Sequence, residues 1–391
     1  MRERDIGSAD GPRNVGLAAA VNRAIAQGVT QNPWLRLSLA CALACAPVGA
    51  AAAMGAVSAA PATEAAPAPA PAPDIAAVLA ALRIEDMRLA TIGERLTVAN
   101  AALCTEHVAR TGLQIHDLSQ YAPGARAEAL RVFGFEAPIA VEGVVAGSAA
   151  AAAGVEANDA IVRVNGEVLE AGPADTGRAE STERAIAAEK RIADAGKSGV
   201  IHLDLLRHGK AVAVTLTPRT GCPSRFEVTV RDTYDARADG SIVQISTKMI
   251  EAIDNEDELA FVIAHELAHN LLRHRARLDD AGVSRGLFES LGPGVGFIRR
   301  SEIEADMLGI ALAANAGYDV NAPARFWRWF GKAHFNSILL ARTHPRWTLR
   351  AALLEREAAI IGPAAKPYIP PILAERDKPL TNDWRSLVEG L

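Results

Sequence analysis

One stretch of this sequence has the residue types and spacing to do chemistry. From Glu256 to His274 there is neither Pro nor Gly, Leu and Ala are frequent, and three acidic residues open the run. That composition predicts a helix whose first turn complements its dipole. His265 and His269 stand four apart, so both imidazoles leave one helical face and can share a metal ion. Glu266 is displaced by one position, which lets it flank such an ion without ligating it. There it can take a proton from a water whose pKa the metal has lowered. The bland alternative is two incidental histidines. It would bury two imidazoles and a carboxylate among Phe261, Val262, Ile263 and Leu267, which is costly when they are unpaired.

A catalytic zinc needs a third protein ligand and one open position. The extended pattern with a third His is absent, because Leu272 and Arg275 occupy its Gly and His places. Downstream, Ile298 to Gly309 predicts a second helix on which Glu302 and Asp306, again four apart, share a face. Glu302 can then reach the metal while Asp306 accepts the outer N–H of a ligating histidine. Glu304 is turned away by about 200° and is expected in solvent. His274 reads as a surface or outer histidine and not as a ligand. His107, His116, His202, His208 and His334 show no partner pattern.

HELAH at 265–269, Glu-x-x-Ala-Asp from Glu302 to Asp306, then Thr343-His344-Pro345 and Arg350 together resemble the M48 family of zinc metallopeptidases. The resemblance covers about Cys222 to Ile360, with the apolar periodicity of Ile75 to Leu103 (one or two helices) alongside. It implies one Zn²⁺ per chain on His265, His269 and Glu302, with Glu266 as general base. It also implies that His344 and Arg350 lie near the metal as catalytic groups, stabilising an oxyanion or gating the open position. His344 reads equally as a helix-entry residue before Pro345. Arg225 to Asp232 and Ile242 to Ser246 predict strands. By analogy Ile242 to Ile245 would be the edge that pairs with extended substrate, with a plain core hairpin as the alternative. Phe326, Trp327, Trp329 and Phe330 form core packing or a cleft wall.

Upstream, a β-type run from Ile139 to Val145 is followed by Gly147-Ser148, an Ala stretch ending at Gly154-Val155, and Asn158-Asp159 leading to Asn165-Gly166, a strong hairpin signal. This segment resembles a bacterial PDZ domain. The resemblance implies a groove where a peptide strand joins a sheet edge, with Phe133, Gly134 and Phe135 as the loop that meets a terminal carboxylate. A β-rich spacer whose glycines serve only turns is the alternative. Cys104 precedes the segment and Cys222 follows it. Four cysteines without CxxC spacing exclude a cysteine-built zinc site. In an oxidising compartment Cys104 and Cys222 would staple the ends of an inserted domain, with a free buried pair as the alternative.

The elements that must position these groups occupy a chain of 391 residues, 50% hydrophobic, with 41 basic and 46 acidic residues and a net charge of −5. No basic excess points to nucleic acid. The apolar residues are uneven: Leu37 to Pro73 holds 17 Ala and 6 Pro in 37 residues, with Glu64 its only charge. An apolar run behind five arginines reads as a signal peptide or as a retained membrane anchor. Either places the remainder outside the cytoplasm, in the periplasm or cell envelope, and the anchor reading adds membrane association through that run. The expected division is leader 1–60, Ala/Pro linker 61–74, N-terminal helical part 75–126, PDZ-like domain 127–220, catalytic core 221–361 and a Pro-rich tail 362–391. The expected fold is α+β: a mainly helical zincin-type domain with a small sheet, carrying an inserted β-rich domain. The expected function is a zinc endopeptidase acting on cell-envelope or misfolded polypeptides, with a C-terminal peptide as ligand of the PDZ-like groove. The competing reading is a binding protein with a structural zinc. The open fourth position argues against it, because structural zinc is closed by four protein ligands.

Overall fold

The Asp74 carboxylate accepts the Ala76 N–H at 3.0 Å and so caps α1 (Ile75–Ala99), one helix of 25 residues where the sequence left one or two open. The computed structural model describes residues 74–169, 179–283, 294–334 and 344–391. The expected leader, nearly all of the linker, and Thr343 lie outside the described residues. Among the described residues no helix is long and apolar enough to cross a membrane.

After α1 come β1 (Val108–Arg110), β2 (Leu113–Asp117), α2 (Arg126–Phe133), β3 (Ile139–Val144), β4 (Ala160–Val164) and β5 (Glu167–Val168). Then follow α3 (Glu183–Ala195), β6 (Ile201–Arg207), β7 (Lys210–Leu216) and β8 (Arg219–Gly221). The main sheet runs β2-β3-β4-β6-β7 with antiparallel neighbours, and β5 pairs with β4 through the Asn165-Gly166 turn, where both residues have positive φ. Alternate strand residues Ile115, Ile139, Val141, Ile161, Leu203 and Leu205 meet Ala188 and Ile192 of α3 in a core of their own. The ends of this excursion are tied twice. β1 pairs with β8 from Val108↔Gly221 to Arg110↔Arg219, and Cys104 is joined to Cys222 with their Cα atoms 5.6 Å apart.

The rest is mainly helical: β9 (Arg225–Thr229), β10 (Ala236–Ala238), β11 (Ile242–Ser246), α4 (Glu256–Leu271), α5 (His274–Asp280), α6 (Val295–Asn315) and α7 (Trp347–Ile361). Leu89, Ile92 and Leu96 of α1 join Val243, Ile245, Phe261, Leu267, Leu308, Leu312 and Leu354 in the second core. The molecule is therefore an α+β structure. Two expectations change here. β11 is the middle strand, parallel to β9 and antiparallel to β10. Its backbone groups are used on both sides, so Ile242 to Ile245 cannot be a free edge, and β10, packed against α4, is one. Residues 362–391 are not a detached tail, since Ile372, Leu373, Leu380 and Val388 are buried.

Candidate metal centre

α4 starts at Asn255, whose side chain accepts the Glu258 N–H at 3.1 Å, with Glu256, Asp257 and Glu258 in the first turn. α6 crosses it closely at Gly309, where an added Cβ would stand 3.0 Å from backbone atoms of His265. That approach lets side chains of the two helices meet. His265 Nε2 lies 3.2 Å from His269 Nε2 and 3.6 Å from Glu302 Oε2, and His269 Nε2 lies 3.5 Å from Glu302 Oε1. Ligands about 2.0–2.1 Å from a tetrahedral zinc are separated by about 3.3–3.4 Å, so this triangle fits one ion. His265, His269 and Glu302 also form the one metal-competent cluster among the described residues.

Asp306 Oδ1 lies 3.1 Å from His265 Nδ1, the nitrogen facing away from the triangle. Arg350 holds Asp306 with both ends of its guanidinium, at 2.6 Å each, and reaches Glu302 at 3.2 Å. Its other face lies on the Trp327 ring, 3.9 Å from the centroid. Arg350 is buried, and its donors are directed at two carboxylates rather than at an open coordination position. It acts on the centre by holding Asp306 and Glu302, which differs from the oxyanion role the motif suggested. His344 approaches the same carboxylate, with Nε2 3.9 Å from Glu302 Oε2, and its side chain is 30% exposed. The aromatic run divides: Phe326, Trp327 and Phe330 are core, while half-exposed Trp329 donates to Glu258 at 2.6 Å.

The charges of Glu302, Asp306 and Arg350 leave one excess negative charge in a buried space, with Glu266 beside it; a proton on His265 offsets that charge, and a bound cation would offset it in the proton's place. Burial would lower the pKa of His265, but the bonds from Asp306 and Glu302 outweigh it and raise it to about 9. Burial raises the Glu266 carboxyl to about 7 against the pull of His265. Burial would raise Glu302 as well, yet His344, His265 and Arg350 hold it well below the usual carboxylate range.

The sequence reading missed a second set of groups. Arg273 adopts left-handed φ 54° and breaks the chain between α4 and α5, so His274 folds back and places Nδ1 2.8 Å from His269 Nδ1. Its Nε2 is 3.1 Å from Glu304 Oε2. Glu304 was expected in solvent and is instead fully buried, because α6 is covered on every side and turning from the metal means turning into protein. Arg277 and Arg300 each donate to it at 2.7 Å. The available signal was spacing: Arg277 is three after His274, and Arg300 is four before Glu304.

Phe133, Gly134 and Phe135 do not form a carboxylate-binding loop. Phe133 ends α2 with 1% exposure, Gly134 closes the helix in the left-handed region at φ 58°, and both rings pack around His116. The comparable glycine is Gly112, at φ 72°, directly before edge strand β2. A cavity of about 580 Å³ lies there, lined by Val108 to Ile115, by Ile186, Glu189 and Ala193 of α3, and by Ser224 and Gly240 of the mainly helical part. None of its lining residues belongs to the metal-ligand cluster. Asn270, next to His269, spans the two: it donates to Ser224 Oγ at 3.2 Å and accepts the Gly240 N–H at 2.7 Å.

Comparison with known proteins gives the same two parts. Residues 221–285 and 281–358 match peptidase family M48, and residues 108–203 match the PDZ domain. Mitochondrial metalloendopeptidase OMA1 of Schizosaccharomyces pombe is 28% identical over 137 residues, 30% of this chain and 41% of that protein. OMA1 of Arabidopsis thaliana is 29% identical over 136 residues, 29% of this chain and 27% of its own length. A protein of Vibrio cholerae named as a beta-barrel assembly-enhancing protease is 29% identical over 115 residues, 22% of this chain and 24% of its own. The chain thus spans well under half of each of these relatives. The part that holds His265, His269 and Glu302 is an M48 peptidase region, and the tied excursion before it is a PDZ domain.

Proposed function

We propose that this chain is a zinc-dependent endopeptidase of polypeptides outside the cytoplasm. The observation that carries the reading is the triangle of His265 Nε2, His269 Nε2 and Glu302, with Glu266 on the same helix beside it. His265, His269 and Glu302 hold the ion. Zinc bound there would lower the pKa of a water towards 7 and polarise the scissile carbonyl. Glu266 takes the proton of the attacking water and hands it to the leaving amine. Asp306 and Arg350 keep His265 and Glu302 in place. His344 is the group on the open side that can meet the developing oxyanion. Substrate in extended form pairs with the edge of β10 beside α4. The cavity behind Gly112 takes a peptide end as an added strand on β2. The joined Cys104 and Cys222 support an oxidising compartment, and the cell envelope fits them.

Glu266→Gln is the test. Cleavage of casein should fall by a factor of about 10² or more, while zinc stays bound at one ion per chain. Normal cleavage by that variant would remove Glu266 from the mechanism. Absence of cleavage by the zinc-loaded wild type would favour a binding protein instead, and chelator-insensitive cleavage would remove the ion from the reaction.

A further inference from the structure

The two nitrogens that face each other at 2.8 Å, His269 Nδ1 and His274 Nδ1, can form a hydrogen bond only if one carries a proton and the other does not. The far end of the chain of contacts decides which. Glu304 lies between Arg277 and Arg300, so it is a carboxylate and can only accept. His274 Nε2, 3.1 Å from Glu304 Oε2, therefore carries a hydrogen. In a neutral His274 that leaves Nδ1 bare, and the hydrogen of the 2.8 Å contact belongs to His269 Nδ1. His269 Nε2 is then left with a free lone pair. That atom is the one in the ligand triangle, 3.2 Å from His265 Nε2 and 3.5 Å from Glu302 Oε1. A doubly protonated His274 would reverse the bond and put a hydrogen on the ligating nitrogen, so the relay works only with neutral His274.

We propose that Glu304 and His274 are positioning residues of the metal centre: through a carboxylate–histidine–histidine relay they set the tautomer and ring orientation of His269. The proposal rests on the zinc reading above. It gives the two ligand histidines different supports. His265 is fixed directly by Asp306, whereas His269 is fixed at one remove by a carboxylate on the opposite side of α6. Arg277 and Arg300 brace that carboxylate, and Arg277 Nε and Arg300 Nη1 also donate to the backbone carbonyls of Lys378 and Asp383. The C-terminal segment is thereby part of the relay's mounting.

The test uses the full chain. Imidazole ¹⁵N NMR of the zinc-loaded protein should show His274 as the Nε2–H tautomer and His269 as Nδ1–H. His274→Leu removes the acceptor for His269 and should weaken zinc about 10–100-fold in competition with a chromophoric chelator. It should also change the visible spectrum of the Co²⁺-substituted protein. His274→Gln keeps an oxygen acceptor within reach and should recover most of the affinity, and it serves as the reading if the Leu variant does not fold. Nδ1–H on His274, or a folded His274→Leu with wild-type zinc affinity and Co²⁺ spectrum, would overturn the relay while leaving the zinc reading standing. A wild-type chain that takes up no zinc would overturn both.

Discussion

Asp306 and Glu304 are two residues apart on one helix, both fully buried, and each is within hydrogen-bond distance of a histidine. Their surroundings separate them. On the side of Asp306 a single arginine serves two carboxylates, so the region is one cation short. On the side of Glu304 two arginines serve one carboxylate, with Glu375 as a partly exposed extra partner of Arg300 at 3.3 Å. The first region has lone pairs converging where positive charge is short, which suits a metal ion. The second balances its carboxylate with arginines and acts as a brace. A helical position does not decide between those roles, and the count of neighbouring charges does.

The largest expected effect is from Asp306→Ala, which leaves Arg350 buried against the Trp327 face without its main counter-charge. It should cost about 3–5 kcal/mol in urea denaturation of the metal-free protein. A loss under about 1 kcal/mol would show that Arg350 finds water there and would break the comparison. Arg350→Met and Arg277→Met sharpen it. Each should cost about 1.5–3 kcal/mol. Added zinc should restore Arg350→Met more than Arg277→Met, because the ion supplies positive charge only to the first region. Equal recovery of the two would mean that the regions are not electrostatically distinct.

An effect confined to low pH comes from a buried histidine with no carboxylate partner among the described residues, which serves as a control for His274. His116 is 2% exposed and, among the described residues, bonds only the Tyr121 hydroxyl at 2.8 Å, with no partner for its Nε2. Burial, aided by Arg83, depresses its pKa to about 3. Between that value and the unfolded value near 6.5 the unfolded chain binds the extra proton. The stability from neutral His116 is therefore complete above pH 6.5 and is lost as pH falls below it, by up to about 1.4 kcal/mol per unit. His116→Phe should flatten the melting profile between pH 6.5 and 4 relative to wild type. An unchanged slope would place the titration elsewhere.

The candidate metal ligands and Asp306 were legible because they depend on spacing within single helices: His265 and His269 stand four positions apart, as do Glu302 and Asp306. The relay was not legible for two physical reasons. His274 reaches His269 only because Arg273 breaks the helix, and in an unbroken helix residues five apart diverge. Glu304 was placed in solvent because a helical wheel has two sides but this helix has no outer one. The PDZ loop failed differently. Two short stretches, around Gly112 and Gly134, offer a glycine between larger residues, and only the strand pairing tells which precedes an edge. β11 failed for the same reason, since being a strand says nothing about having a free side.

What the sequence determined by itself is the chemistry available: two imidazoles and a carboxylate at helical spacing, a base beside them, and two cysteines at the ends of a β-rich segment. These follow from local geometry, which the backbone repeats wherever it is helical. Tertiary structure alone decided that Glu304 faces arginines instead of solvent, which glycine opens a groove, and that the last thirty or so residues brace the site. Each of those depends on what packs against an element, and packing partners here lie as much as 273 residues apart, as Arg376 and Leu103 do.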